Sequence, residues 1–119
     1  MKIGITGITG RVSSQIIEEL NISDIGADLE LSCGLYRESI ERSFPVYSIN
    51  QIDRFIDQSD CVIDFSSPSL SLSVIEEAAK NSVPVVTGTT GFTDQQQLDI
   101  ERLSQSVAVI QAANMSLGI

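Results

Sequence analysis

Apolar residues in this chain fall in short continuous runs, separated by stretches in which they recur every three or four positions. Lys2-Ile3-Gly4-Ile5-Thr6 reads as a buried strand, and Val12, Ile16, Ile17 and Leu20 follow as a helical stripe. Leu29, Leu31, Cys33 and Leu35 alternate through residues 28–36 and predict a second strand, with Gly34 marking a close backbone approach. Residues 37–47 carry charge without a period and read as a loop. Ser48, with Gln51 three positions on, reads as a capping box for a short helix through Ile49, Ile52, Phe55 and Ile56. Cys61-Val62-Ile63-Asp64-Phe65 is a third strand. Ser67 before Pro68 is an N-cap followed by proline at the first helical position, and it predicts a helix to about Asn81. Val83-Pro84-Val85-Val86-Thr87 is a fourth strand, whose proline points to a strand start or a sheet edge. Thr93 and Gln96 form another capping box ahead of Leu98, Ile100 and Leu103, and residues 107–110 make a fifth strand.

Strands and helices alternate almost without exception, and most strands are continuous apolar runs. That pattern asks for a parallel sheet covered on both faces, an α/β fold of the open, Rossmann-like kind. The 119 residues suit one domain spanning 1–119, with a hydrophobic content of 42% that supports a core. No apolar run reaches the length of a membrane span, and the N-terminal residues fit no signal or transit peptide, so a cytoplasmic location is expected. Seven basic against sixteen acidic residues leave a net charge of -9, which argues against a nucleic-acid surface. An anionic ligand would then depend on local cations and backbone donors. Cys33 and Cys61 sit in apolar, strand-like surroundings and are expected to be reduced packing residues.

The first strand runs into Gly7-Ile8-Thr9-Gly10-Arg11-Val12-Ser13, a glycine turn that opens a helix. Such a turn removes side chains where a pyrophosphate approaches, and the helix N-terminus offers it unpaired N–H groups. Ser13 stands in the third glycine place, where it is expected to loosen the close helix–strand contact glycine would permit, with a side chain small enough to be tolerated. A carboxylate at the end of the second strand would hold an adenosine ribose and repel a 2′-phosphate. This chain has Tyr36-Arg37 there, and a guanidinium pairs with phosphate, which favours NADPH over NADH. Gly88 allows close backbone approach, and Thr89 and Thr90 offer hydroxyls and N–H groups to a ribose or carboxamide. Asp64 is a general base by residue type, or an acceptor for loop N–H groups; Asn114 would orient a nicotinamide or cap a turn. No residue is singled out as catalytic, and no metal is implied.

Four segments in order resemble the cofactor domain of the 4-hydroxy-tetrahydrodipicolinate reductase (dihydrodipicolinate reductase) family. They are Gly7-Ile8-Thr9-Gly10-Arg11-Val12, Asp64-Phe65-Ser66-Ser67-Pro68, Gly88-Thr89-Thr90-Gly91-Phe92 and Ala112-Ala113-Asn114-Met115-Ser116-Leu117-Gly118. The resemblance implies that residues 7–12 wrap the pyrophosphate and that Arg37, with Arg11, meets the 2′-phosphate of NADPH. Tyr36 falls where some members place an acid for the adenosine ribose, and NADH remains an accepted cofactor. Gly88, Thr89 and Thr90 would line the nicotinamide ribose, and Ala112, Ala113, Asn114 and Met115 the nicotinamide end. The resemblance further implies a second, substrate domain that binds a heterocyclic dicarboxylate and builds a homotetramer, with closing segments of the cofactor layer returning from it. By itself this chain, which has no histidine, is then expected to be inactive. The other readings are the cofactor domain of a different dehydrogenase, a stand-alone nucleotide-sensing module, and a remnant that has lost binding.

Overall fold

The structure, a computed structural model, describes residues 1–22, 29–37 and 40–112. Its strands are β1 (Lys2–Thr6), β2 (Glu30–Tyr36), β3 (Val46–Ser48), β4 (Cys61–Asp64), β5 (Val85–Thr87) and β6 (Val109–Gln111). Its helices are α1 (Arg11–Ile22), α2 (Ile52–Asp57), α3 (Pro68–Asn81) and α4 (Asp94–Leu103), with a 3₁₀ turn, Ile49–Gln51, leading into α2. All six strands form one parallel sheet in the order β3-β2-β1-β4-β5-β6. The chain travels outward from β1 to β3, then returns to the other side of β1 and continues to β6. The strand order therefore reverses between β1 and β4, and a crevice opens at their carboxyl ends.

Alternation along the strands divides the core between two faces. Cys33 and Leu35 of β2, Val62 of β4 and Val85 of β5 pack under α2, α3 and α4 with Phe55, Ile56, Val74, Ile75, Ala78 and Ile100. Ile3 and Ile5 of β1 and Ile8 pack under α1 with Ile16, Ile17 and Leu20. Helix α3 buries Ser71, Val74, Ile75 and Ala78, the spacing of one helical face. It starts at Ser67 and Pro68 as the sequence predicts, and it stops at Ser82, whose φ of 56° lets the Val83 N–H bond Ala78 O at 3.0 Å. On the α1 side Ile63, Val86 and Ile110 lie in register, yet Ile110 is 59% exposed. Among the described residues, the helix layer on that face stops short of β6.

Three expectations need correction. The segment read as a loop over 37–47 ends in β3, which pairs with β2 through Gly34↔Val46, Leu35↔Tyr47 and Tyr36↔Ser48. Three residues after a proline carry no period, so only the pairing makes them a strand. Pro84 marks neither an edge nor the first strand residue: β5 begins at Val85 in the sheet interior, and the Pro84 carbonyl still accepts Val62 N–H at 3.0 Å. The alternation predicted through Leu31, Cys33 and Leu35 breaks at a bulge in the pairing with β1: Leu31 lies in register with Ile3 and packs on the α1 face, and Cys33 and Leu35 pack on the other. The helix expected after Ser48 is present with its capping box, Ser48 N–H donating to Gln51 Oε1 at 3.3 Å, its first turn 3₁₀ and the rest α2. The start of the second strand at residue 28 lies outside the described residues.

Gly34 is a close approach, since a β-carbon there would come within 2.8 Å of Ile8 Cγ2. Cys33 pairs in register with Gly4 and Cys61 with Ile3, so the two thiols lie on opposite faces of the sheet and do not bond. Burial pushes both thiols above their ordinary range, which keeps them protonated packing groups. At α4, Thr93 Oγ1 accepts Gln96 N–H at 3.1 Å and Gln96 Oε1 accepts Thr93 N–H at 2.9 Å. Replacing Thr93 by alanine is expected to cost about 1 kcal/mol. Thermal unfolding checks this as a melting point lower by about 4 °C.

Candidate functional site

The turns at the carboxyl ends of the strands frame the crevice, and the one after β1 is held by glycine. Gly7 has φ 61°, and a β-carbon on it would lie 1.9 Å from the Phe65 carbonyl oxygen. The turns that follow β1 and β4 thus meet backbone to backbone. Gly10 N–H donates to Gly7 O at 2.8 Å, and Ser14 N–H to Gly10 O at 2.9 Å, which starts α1. Ser13, expected to loosen this junction, ties it: the buried hydroxyl donates to Thr6 O at 2.8 Å. The Ile8 side chain is in the core, so only its backbone is available to a ligand. Thr9, Gly10 and Arg11 are exposed, and Val12 is half-buried.

At the end of β2, the Arg37 guanidinium lies over the Tyr36 ring at 5.2 Å and donates to Tyr36 Oη at 3.0 Å. Gly7, Thr9, Tyr36 and Arg37 line one cleft of about 320 Å³ with Ser66, Ser67 and Leu70. Arg37, Ser67 and Leu70 also border a second cleft of about 440 Å³, which continues between the 3₁₀ turn and α3 past Ile49, Asn50, Ile52 and Ser73. Arg11 and Val12, on α1, line neither cleft. On the far side of Phe65 lies Gly88, where a β-carbon would come within 2.1 Å of the aromatic ring; Thr90 beside it is exposed. Ala112 follows β6, its N–H bonded to Thr87 O at 2.7 Å. Ala113, Asn114 and Met115 lie outside the described residues.

Between these turns sits Asp64, fully buried. It accepts from Thr6 Oγ1 at 2.6 Å, Ser66 Oγ at 2.8 Å, Thr87 Oγ1 at 2.7 Å and Thr89 Oγ1 at 3.0 Å, and from Ser71 Oγ. Its partners are therefore hydroxyls and not the loop N–H groups expected of it. With both oxygens engaged inside the protein, its geometry offers nothing to a substrate as a general base. Thr89, expected to turn its hydroxyl to a ribose, turns it inward to Asp64.

Sequence reasoning assigned no role to Leu70, Ile49, Asn50 or Ile52 in the clefts, nor to Thr6 and Ser71 around Asp64. Only Ser71 carries a signal. A hydroxyl on the buried stripe of α3 asks for a polar partner beneath it.

A dinucleotide fits these residues. A β-carbon on Gly10 would meet only Gly7 O, at 3.2 Å, so its outer side is open beside the first-turn amides of α1. Although the chain is acidic, no Asp or Glu among the described residues lines either cleft, and Arg37 lines both.

The family described as "Dihydrodipicolinate reductase, N-terminus" matches residues 1–115. The 4-hydroxy-tetrahydrodipicolinate reductase of Thermomicrobium roseum is 34% identical, over all of this chain and 48% of that protein. That of Nitratiruptor sp. is 36% identical, over all of this chain and 46% of that protein. The chain thus spans about half the length of the curated relatives it matches. Among solved structures, the dipicolinate-bound dihydrodipicolinate reductase of Paenisporosarcina sp. TG-14 superposes with a TM-score of 0.78 at 21% identity, covering 99% of this chain and 49% of that one. Homoserine dehydrogenase of S. aureus gives 0.70 at 20% identity, over 95% of this chain and 32% of that one. At these identities the two structures speak to the fold alone.

Proposed function

This chain belongs to the dihydrodipicolinate reductase family, to the part described as its N-terminus, and from that premise we propose that it is the cofactor module of a reductase. The enzyme would convert 4-hydroxy-tetrahydrodipicolinate to tetrahydrodipicolinate, in lysine and diaminopimelate biosynthesis, in the cytoplasm. The observation that carries this reading is the cleft at the strand reversal, bounded by the Gly7 turn, Arg37 and the Ser66–Ser67 turn.

In this reading the backbone amides of residues 7–12 hold the pyrophosphate. Arg37, supported by Arg11 at the start of α1, meets the 2′-phosphate and sets a preference for NADPH while NADH is still accepted. The second cleft takes the adenosine end. Gly88 and Thr90 front the nicotinamide ribose, with Thr89 anchoring the turn between them, and Ala112, Ala113, Asn114 and Met115 border the nicotinamide. When bound, the cofactor supplies a hydride from C4 of its nicotinamide ring. This chain's residues bind and orient, and none is assigned to proton transfer. The dicarboxylate substrate and a homotetrameric assembly belong to the remaining half of the relatives' length.

Calorimetric titration with NADPH and NADH tests the proposal. Saturable binding is expected, tighter for NADPH. Arg37→Ala should weaken NADPH by about 10- to 100-fold, the range of one or two charge-assisted hydrogen bonds, and change NADH by less than about 2-fold. Equal losses for both cofactors would remove Arg37 as the phosphate reader. A folded chain that binds neither cofactor would overturn the module reading.

A further inference from the structure

The hydroxyls around Asp64 do more than satisfy it, because three of them also receive an amide proton. Phe65 N–H donates to Thr6 Oγ1, Ser66 N–H to Thr89 Oγ1 and Thr89 N–H to Thr87 Oγ1. Each threonine hydroxyl has one proton to give and lone pairs to spare, and here the proton goes to Asp64. Three relays of the same direction, from turn amide to threonine to carboxylate, therefore converge on one buried side chain. Ser66 and Ser71 add two further hydroxyls, and Ser71 fastens the first turn of α3, which carries Leu70 into the clefts.

We propose that Asp64 is the positioning residue of the cofactor crevice. Acting through Thr6, Thr87 and Thr89, it draws the amides of Phe65, Ser66 and Thr89 inward. It thereby holds the turns after β4 and β5 in one arrangement against the Gly7 turn. It touches no ligand; it sets the shape of the crevice before one arrives, so that binding does not have to order the turns. The inference rests on the cofactor reading above for its purpose, but the relays themselves are a property of the unliganded chain.

The test compares Asp64→Asn with Val74→Ala, a core truncation on α3 away from the relays, by amide hydrogen exchange and by titration with NADPH and NADH. Both are measured well below the variants' melting temperatures. In Asp64→Asn, exchange at Phe65, Ser66 and Thr89 should quicken by about tenfold relative to the sheet amides of Val62 and Val85, and both cofactors should weaken by a similar factor, about tenfold, with their ratio unchanged. Val74→Ala should lower the melting temperature and leave both affinities in place. Unchanged protection of the three amides in folded Asp64→Asn overturns the proposal, and so does an equal loss of affinity in Val74→Ala. Should Asp64→Asn not fold, Thr89→Val and Thr89→Ser decide: valine should free the Ser66 amide and serine should restore its protection, while identical exchange in the two overturns the proposal. A parent chain that binds neither cofactor sinks the cofactor reading, and exchange at the three amides still decides the role of Asp64.

Discussion

Alanine at position 7 is expected to cost about 2–5 kcal/mol of stability, summing the left-handed backbone penalty for an L residue and the strain of overpacking. Gly7 holds φ at 61°, and its β-carbon would lie 1.9 Å from the Phe65 carbonyl oxygen. That oxygen belongs to backbone fixed by the Thr6 hydroxyl, so no side-chain rotation relieves the clash. The turn would have to open, taking with it the Gly10 to Gly7 bond and the Ser13 to Thr6 bond that start α1. Since a domain has only about 5–15 kcal/mol in hand, this loss is a large fraction of the whole. What stays folded should bind NADPH poorly. Gly10→Ala is the internal control, because its β-carbon meets only Gly7 O at 3.2 Å and its φ lies outside the left-handed region. It should cost no more than about 1 kcal/mol, within the range of a mild overpacking. Urea unfolding of the two variants measures the difference. Equal midpoints would show that neither the positive φ nor the close approach requires glycine at position 7.

Phe55→Ala is expected to cost a further large share of stability, about 3–5 kcal/mol for a fully buried aromatic truncated to a methyl group. Helix α2 has only six residues, too few to hold itself. Phe55 and Ile56, both fully buried, anchor it to the sheet. The facing residue of β1 is Gly4, where a β-carbon would come within 3.0 Å of the Phe55 ring and 2.1 Å of Ser59 Oγ. The missing side chain at Gly4 is thus the space the phenyl ring fills, and nothing nearby replaces it. Because the 3₁₀ turn and α2 bring Ile49, Asn50 and Ile52 to the second cleft, the same variant should weaken NADPH at its adenosine end. Denaturant titration with an unchanged slope checks the first effect, and calorimetry the second. A loss below about 1 kcal/mol would mean that α2 is held by something other than this ring.

Much of the architecture was legible because it is written in local rules. The Ser67-Pro68 start of α3, the Thr93/Gln96 box of α4 and the glycine turn before α1 each depend on residues within four positions of one another. The stripe of α1 is likewise short-range, whereas the alternation read along β2 breaks at a bulge that only the pairing with β1 reveals, leaving Leu31 on the α1 face and Cys33 and Leu35 on the other. The strands misread were those whose existence or place depends on a partner. Val46–Ser48 is a strand because β2 lies beside it, and Pro84 precedes an interior strand because its carbonyl alone meets β4.

At the site the division is sharper. The sequence by itself determined the class of fold, the placing of Gly7 in a turn that only glycine adopts, and a cation, Arg37, at the end of the second strand. These follow from residue type and spacing. Only the tertiary structure decided that Arg37 lines the clefts while Arg11 does not, that Ser13 tightens the turn it was expected to loosen, and that Thr89 faces inward. It alone assembled Thr6, Ser66, Ser71, Thr87 and Thr89 around Asp64, joining residues up to 58 positions apart. The physical reason is that a hydroxyl bonds whatever acceptor the fold brings within 3 Å of it. Nothing in the order of residues states that distance until the sheet has formed.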